Sequence, residues 1–173
     1  MTAASDVGNP LLRELRWVHD MLRRDLKTCG ELADAAAAGA PAADLRDELD
    51  RLASRGPLFE LKVNCLRYCR LVHSHHGGED VALFPEVRRS APHLGAVVDR
   101  LEADHRVVSD LLDEVEAAAR KLDATDPAAD ATDARTRLVD ALTTLSAHLL
   151  EHLEFEEEAL APVLLAWGRW PRT

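Results

Sequence analysis

The sequence predicts an all-α fold, an up-down-up-down four-helix bundle. Four segments of the 173-residue chain carry apolar residues at the spacing of an amphipathic helix, and no segment alternates like a strand. The composition is rich in alanine, leucine, glutamate and arginine, which favour helix. Mostly short connections make consecutive helices antiparallel neighbours. We expect one domain over residues 1–173, with the bundle at about residues 10–165 and short tails at both ends.

The first helix is predicted to begin at Asn9-Pro10, because asparagine caps helix N-termini and proline suits the first helical position. It should end before Gly39 and Pro41. Residues 44–53 resemble a further short helical piece. The apolar stripe of the first helix consists of Leu12, Leu15, Leu22 and Leu26.

The second helix is predicted to start near Leu58, after the break at Gly56-Pro57. It must pass Gly77-Gly78 to reach Leu83, and each glycine costs a helix about 1 kcal/mol relative to alanine. Either the helix bends there or something external fixes it. We expect the next breaks at Phe84-Pro85 and at residues 90–92.

The third helix is predicted over about residues 93–122, followed by a loop at residues 123–132. The fourth helix should begin near Asp133, and Pro162 should end or kink it. Trp167 and Trp170 in the tail are expected either to pack back on the bundle or to make a dimer contact. The sequence leaves open whether the chain is a monomer or a homodimer.

Charge and composition exclude several classes of protein. The formal net charge of -10 would repel a phosphate backbone, so we expect no nucleic-acid partner. No apolar run approaches the roughly 20 residues that span a bilayer, and no signal peptide is evident. Cys29, Cys65 and Cys69 do not form a disulfide framework and are predicted to be reduced thiols. These features favour a cytoplasmic protein with no membrane partner.

Polar residues interrupt the apolar stripes of all four helices. Each stripe carries one histidine, and two stripes carry a glutamate one turn after the histidine. The predicted inward-facing residues are His19, His75, Glu79, His105, His152 and Glu156.

A metal site explains these six residues best. A single histidine on an apolar face is usually a hydrogen-bonded core residue, but an ionised carboxylate is rarely buried unless it is paired or bound to a metal. No lysine or arginine lies on the stripes beside Glu79 or Glu156. Six ligands exceed a tetrahedral zinc site, and mixed nitrogen and oxygen ligands suit iron or manganese. A buried proton-sharing network is the alternative.

The order His19, His75-x-x-x-Glu79, His105, His152-x-x-x-Glu156 resembles the hemerythrin-like (HHE cation-binding) family. The segment from His75-His76-Gly77-Gly78-Glu79-Asp80 to Leu83-Phe84-Pro85 also resembles that family. The resemblance covers residues 10 to 165. It implies two Fe ions in an oxo- or hydroxo-bridged di-iron centre, with Glu79 and Glu156 as bridging carboxylates. The four stripe histidines would be terminal ligands.

The sequence departs from the oxygen-carrying hemerythrins at Ser109, where those proteins have a second histidine in the third helix. This makes simple reversible oxygen carriage doubtful. Tyr68, His148, a water or a small ligand are the candidates for the vacant metal position, and Tyr68 is alternatively a core residue. His73 and His76 fall off the stripe and are predicted to be exposed or hydrogen-bonded around the site. His93 is expected only to begin a helix.

Three functions follow from a di-iron site with an incomplete histidine set. In the first, the protein binds or senses a small oxidant or gas, namely O2, NO or H2O2. Alternatively it is an enzyme that decomposes peroxide or nitric oxide, helped by Tyr68 as a proton or electron donor. A third alternative is an iron-responsive module in which metal occupancy sets folding and a partner interaction.

Overall fold

The computed structural model describes residues 9–38, 57–121 and 130–167, and these residues form helices with no strand among them. The α-helices are α1 Pro10–Ala37, α2 Pro57–Gly78, α3 Phe84–Ser90, α4 Gly95–Lys121 and α5 Asp130–Trp167. A π-helical turn, Glu79–Leu83, joins α2 to α3, and a 3₁₀ turn, Pro92–Leu94, precedes α4. The predicted helical piece at residues 44–53 and Trp170 lie outside the described residues.

The four long helices form the predicted bundle. Helix α1 packs against α2 and α5, and α4 packs against the same two helices, so the four enclose one core. The Asn9 side chain caps α1 as predicted, because its Oδ1 accepts hydrogen bonds from the backbone N–H of Leu11 at 2.9 Å and of Leu12 at 3.1 Å. The Asn9 Nδ2 also donates to the Leu164 carbonyl at 2.8 Å, which ties the start of α1 to α5.

The predicted break at Phe84-Pro85 is wrong. Phe84 donates its backbone N–H to the carbonyl of Glu79, five residues earlier, so the chain passes through a wide π turn and continues as α3. Pro85 then lies in the first turn of α3, where the helix does not need the backbone N–H that proline lacks. The break comes at Ala91, whose φ of -135° is not helical.

Pro162 does not end the fourth helix, which continues to Trp167. An interior proline costs about 3 kcal/mol, but Leu160, Val163 and Leu164 are buried around it. Burial of each such side chain contributes about 1.5–3 kcal/mol, which offsets that cost. Trp167 packs back on the bundle, as expected, and its Nε1 donates to Ser90 Oγ at 3.1 Å.

The core is divided into two apolar clusters. The larger cluster contains Leu22, Val72, Val108 and Leu149, and the smaller contains Leu15, Leu83, Leu101 and Leu160. Helices α1, α4 and α5 each contribute residues to both clusters, as does α2 together with the π turn and α3 that follow it. Between the part that joins one cluster and the part that joins the other, each of these four stretches carries histidine, glutamate or both. A polar layer therefore lies across the bundle between two apolar layers, which exclude water from both sides.

Candidate metal centre

The polar layer contains two groups of metal-ligand side chains. In each group the candidate ligand atoms all lie within 4.8 Å of one another. The first group is His19, His75, Glu79 and Glu156, and the second is His76, His105 and His152. All six residues predicted from the stripes therefore come together, and they come from all four long helices and the π turn.

The histidines of each group face one another through their ring Nε2 atoms. The Nε2 atoms of His19 and His75 are 3.0 Å apart, and those of His105 and His152 are 3.1 Å apart. His76 stacks on His105 with ring centroids 4.0 Å apart.

The two glutamates of the first group also approach histidines of the second group. The Glu79 Oε1 atom is 3.3 Å from His75 Nε2, and its Oε2 atom is 3.6 Å from His105 Nε2. Glu156 Oε2 is 3.3 Å from His19 Nε2 and 3.8 Å from His152 Nε2. Each carboxylate thus touches one histidine of the first group and one of the second, which is the position of a bridging ligand.

These carboxylates are buried without a partner that would stabilise a negative charge. Glu156 is 0% exposed and Glu79 is 5% exposed. None of their four oxygen atoms has a hydrogen-bond partner, and neither does the buried Nε2 of His76. Their ion-pair partners among the described side chains are all histidines. Burial and then the charge of Glu156 raise the pKa of Glu79 well above its ordinary value.

Most of these imidazoles are neutral near pH 7 and so present a lone pair. Burial lowers the pKa of His75 to about 3 and that of His152 to about 4, and it also lowers the pKa of His76. Burial opposes charge on His19 as well, but the neighbouring carboxylates of Glu156 and Glu157 raise its pKa. Neutral imidazoles are the form that binds metal.

Two carboxylates outside the polar layer orient the rings. His19 Nδ1 donates to Glu157 Oε1 at 2.9 Å, and His105 Nδ1 donates to Asp80 Oδ1 at 2.8 Å. Arg23 also contacts Glu157 Oε1 at 2.8 Å. Hydrogen bonds from His19 and Arg23 outweigh burial and lower the pKa of Glu157, so it stays ionised. A proton held on Nδ1 leaves Nε2 free, as in most metal-binding histidines.

The observed separations fit metal ions. Ligand atoms about 2.1 Å from one metal at right angles are about 3.0 Å apart, which is close to the 3.0 and 3.1 Å between the paired Nε2 atoms. The five orphaned atoms on His76, Glu79 and Glu156 supply the lone pairs that such ions need. With the paired Nε2 atoms, they complete a donor set of five imidazoles and two carboxylates.

His76 is the site residue that the stripes missed. It was expected to be exposed or hydrogen-bonded around the site, but it is only 5% exposed and belongs to the second group. Helix α2 packs against both α1 and α4. Because neighbouring residues are about 100° apart around a helix, His75 turns towards the first group and His76 towards the second. The adjacent pair His75-His76 was the feature of the sequence that could have identified His76 as a site residue.

The other candidates lie outside both groups. Tyr68 is buried in the larger apolar cluster with its Oη unpartnered, and burial raises the pKa of that phenol. His148 and His93 are exposed, and His73 lies 3.9 Å from Asp113. His76 is the third imidazole of the second group.

The fold and the site together define a four-helix bundle with a buried cluster of histidines and glutamates that could hold cations. The sequence matches the hemerythrin HHE cation-binding domain over residues 10–164. The chain therefore belongs to the hemerythrin-like family. Searches of curated proteins and of solved structures find no match. None of the described helices combines the length and apolar character that a bilayer crossing needs.

Proposed function

We propose that the protein holds two iron ions and uses them to bind or sense a small oxidant, namely O2, NO or peroxide. One ion would be held by His19 and His75 and the other by His76, His105 and His152. Glu79 and Glu156 would bridge the two. The observation that carries the proposal is the pair of buried carboxylates, each placed between the two histidine groups with no hydrogen-bond partner.

The donor set favours iron among the common metals. Five imidazoles are more than a manganese or magnesium site usually contains, since those ions prefer oxygen ligands. Five nitrogens and two shared carboxylates exceed what tetrahedral zinc needs. The three cysteines are buried in the larger apolar cluster, so no thiolate competes for a softer metal.

The two positions differ in a way that favours ligand binding at one of them. The position at His19 and His75 has one imidazole fewer than the other. A surface pocket reaches His75 and Glu79. Iron supplies Lewis acidity and a change of oxidation state when bound, while the surrounding residues hold the ligand atoms and exclude water elsewhere.

Binding to small oxidants can be followed by visible absorption. We expect the iron-loaded protein, reduced without air, to develop a visible band on exposure to O2, NO or H2O2. His75→Ala should weaken this response, and His93→Ala should leave it unchanged because His93 is exposed. An iron-loaded protein whose spectrum responds to none of the three ligands would refute the proposal.

The same experiment tests the second candidate, an enzyme that consumes peroxide or nitric oxide. The pocket beside His75 and Glu79 favours it, since reactants and products need a path to the site. A band that reverses when the ligand is removed indicates binding or sensing. Consumption of many equivalents of peroxide or NO per chain indicates turnover.

A further inference from the structure

The pocket beside the candidate metal centre lies between α1, α2, α5 and the π turn. Its volume is about 630 Å³. His75 and Glu79 are part of its wall. Most of the remaining wall is apolar, formed by Leu11, Leu15, Val18, Leu83 and Leu164.

This pocket is larger than a diatomic ligand or hydrogen peroxide requires. A water molecule occupies about 30 Å³ in the liquid, and small oxidants are of similar size. Pockets that bind organic ligands have volumes of about 300–1,000 Å³ and are mostly apolar with a few polar groups. The space beside His75 belongs to this second class.

Gly78 forms part of the pocket wall next to Glu79. A Cβ added at Gly77 or Gly78 would meet no atom within 4 Å, and Gly78 has ordinary helical angles of φ -67° and ψ -39°. Alanine at either position would favour the helix by about 1 kcal/mol. Gly78 lines the pocket and Gly77 does not. Any side chain at position 78 would reduce the space beside Glu79.

Apart from the proposed metal ions, the wall of the pocket includes no positively charged group that would pair with an anion. Glu14 and Glu79 are the acidic residues of the wall, and the lining includes no lysine or arginine. Ser74 is the one hydroxyl among the lining residues. An anionic group on the ligand would therefore find no partner along the leucine and valine wall, whereas a neutral apolar body needs none.

We propose that this pocket binds a neutral, mainly apolar organic molecule with one short polar end, of the class of alkyl and aryl hydroperoxides. The apolar body contacts the leucine and valine wall, and the polar end points to His75 and Glu79. The orientation of the polar end rests on the proposed function. The pocket itself depends only on the packing of α1, α2, α5 and the π turn.

The probe for this proposal is 2-phenylpropan-2-ol, the stable alcohol that corresponds to cumene hydroperoxide. We expect it to bind the iron-loaded protein in a calorimetric titration and to perturb the visible spectrum. A neutral polyol without an apolar body, glycerol, should bind at least roughly tenfold more weakly, a difference of about 1.4 kcal/mol. Equal binding of the two probes, or no binding of the alcohol, would overturn the proposal.

Gly78→Leu and Gly77→Leu form a matched pair. Both sites have room for a side chain, but only the first should weaken binding of the alcohol, by roughly tenfold or more. If Gly78→Leu also lost metal, Leu11→Trp would fill the pocket from α1, with Leu150→Trp on the surface of α5 as its control. Unchanged binding in the pocket-filling variants would refute the proposal.

The outcome for the metal is read separately. Iron content and the visible spectrum are measured on the same samples. If the protein holds iron but does not bind the alcohol, the pocket proposal is refuted and the proposed function stands. If the protein holds no iron but still binds the alcohol, with the same dependence on Gly78, the pocket proposal stands and the proposed function is refuted.

Discussion

Removal of the metal by a chelator is expected to lower the melting temperature of the protein by roughly 15–30 °C. An ion present at about a thousand times its dissociation constant stabilises the folded state by about 4 kcal/mol, so the two proposed ions would contribute about 8 kcal/mol. In a chain of this length, 1 kcal/mol corresponds to about 2–4 °C. Without cations, Glu79 and Glu156 are left as buried carboxylates with no hydrogen-bond partner.

Differential scanning calorimetry of the purified protein, with and without chelator, measures this effect. Addition of ferrous iron to the chelated sample under anaerobic conditions should restore the original melting temperature. The large change is also what an iron-responsive module requires. Equal melting temperatures with and without chelator would mean that the polar layer is stable by itself.

Three consecutive glutamates of α5 provide a graded test of the bridging role. Glu156 is fully buried between the two histidine groups, Glu157 contacts His19 from outside, and Glu158 is exposed. Glu156→Gln should weaken metal binding more than 100-fold, because it removes the charge that the two proposed ions would share. Glu157→Gln should weaken it by about 10–100-fold, which is typical for a hydrogen-bond partner of a metal-binding histidine. Glu158→Gln should have no measurable effect.

Metal affinity in this series is measured by competition with a chromogenic chelator. The substitutions keep the size of the side chain and share one helix, so differences in helix stability are small. The account fails if Glu156→Gln binds as much metal as the unaltered protein. It also fails if all three substitutions weaken binding to the same degree, since that would indicate a general effect of net charge.

Helical periodicity predicted most of the bundle because each long helix buries one stripe. The boundaries were less predictable where tertiary packing outweighed local preference. Pro85 follows a π turn that accommodates it, and Pro162 is held within α5 by the buried leucines and valine around it. Neither effect can be read from residues that are close in sequence.

The same reasoning explains which site residues were predicted. His19, His105 and Glu156 interrupt regular apolar stripes, so a single period was enough to select them. His76 was missed because one stripe per helix allows only one inward direction, whereas α2 contacts two neighbouring helices within the bundle. Asp80 and Glu157 could not be predicted in the same way. Each accepts a hydrogen bond from a histidine ring of another helix, and that contact depends on how the ring is oriented in three dimensions.

The central claim is that Glu79 and Glu156 are buried because cations lie between them and the five histidines. The most direct test is the metal content of the protein, measured by elemental analysis after purification without added chelator. We expect about two iron atoms per chain. An intact, cooperatively folding protein that contains no transition metal and takes up none when iron is supplied would contradict the claim.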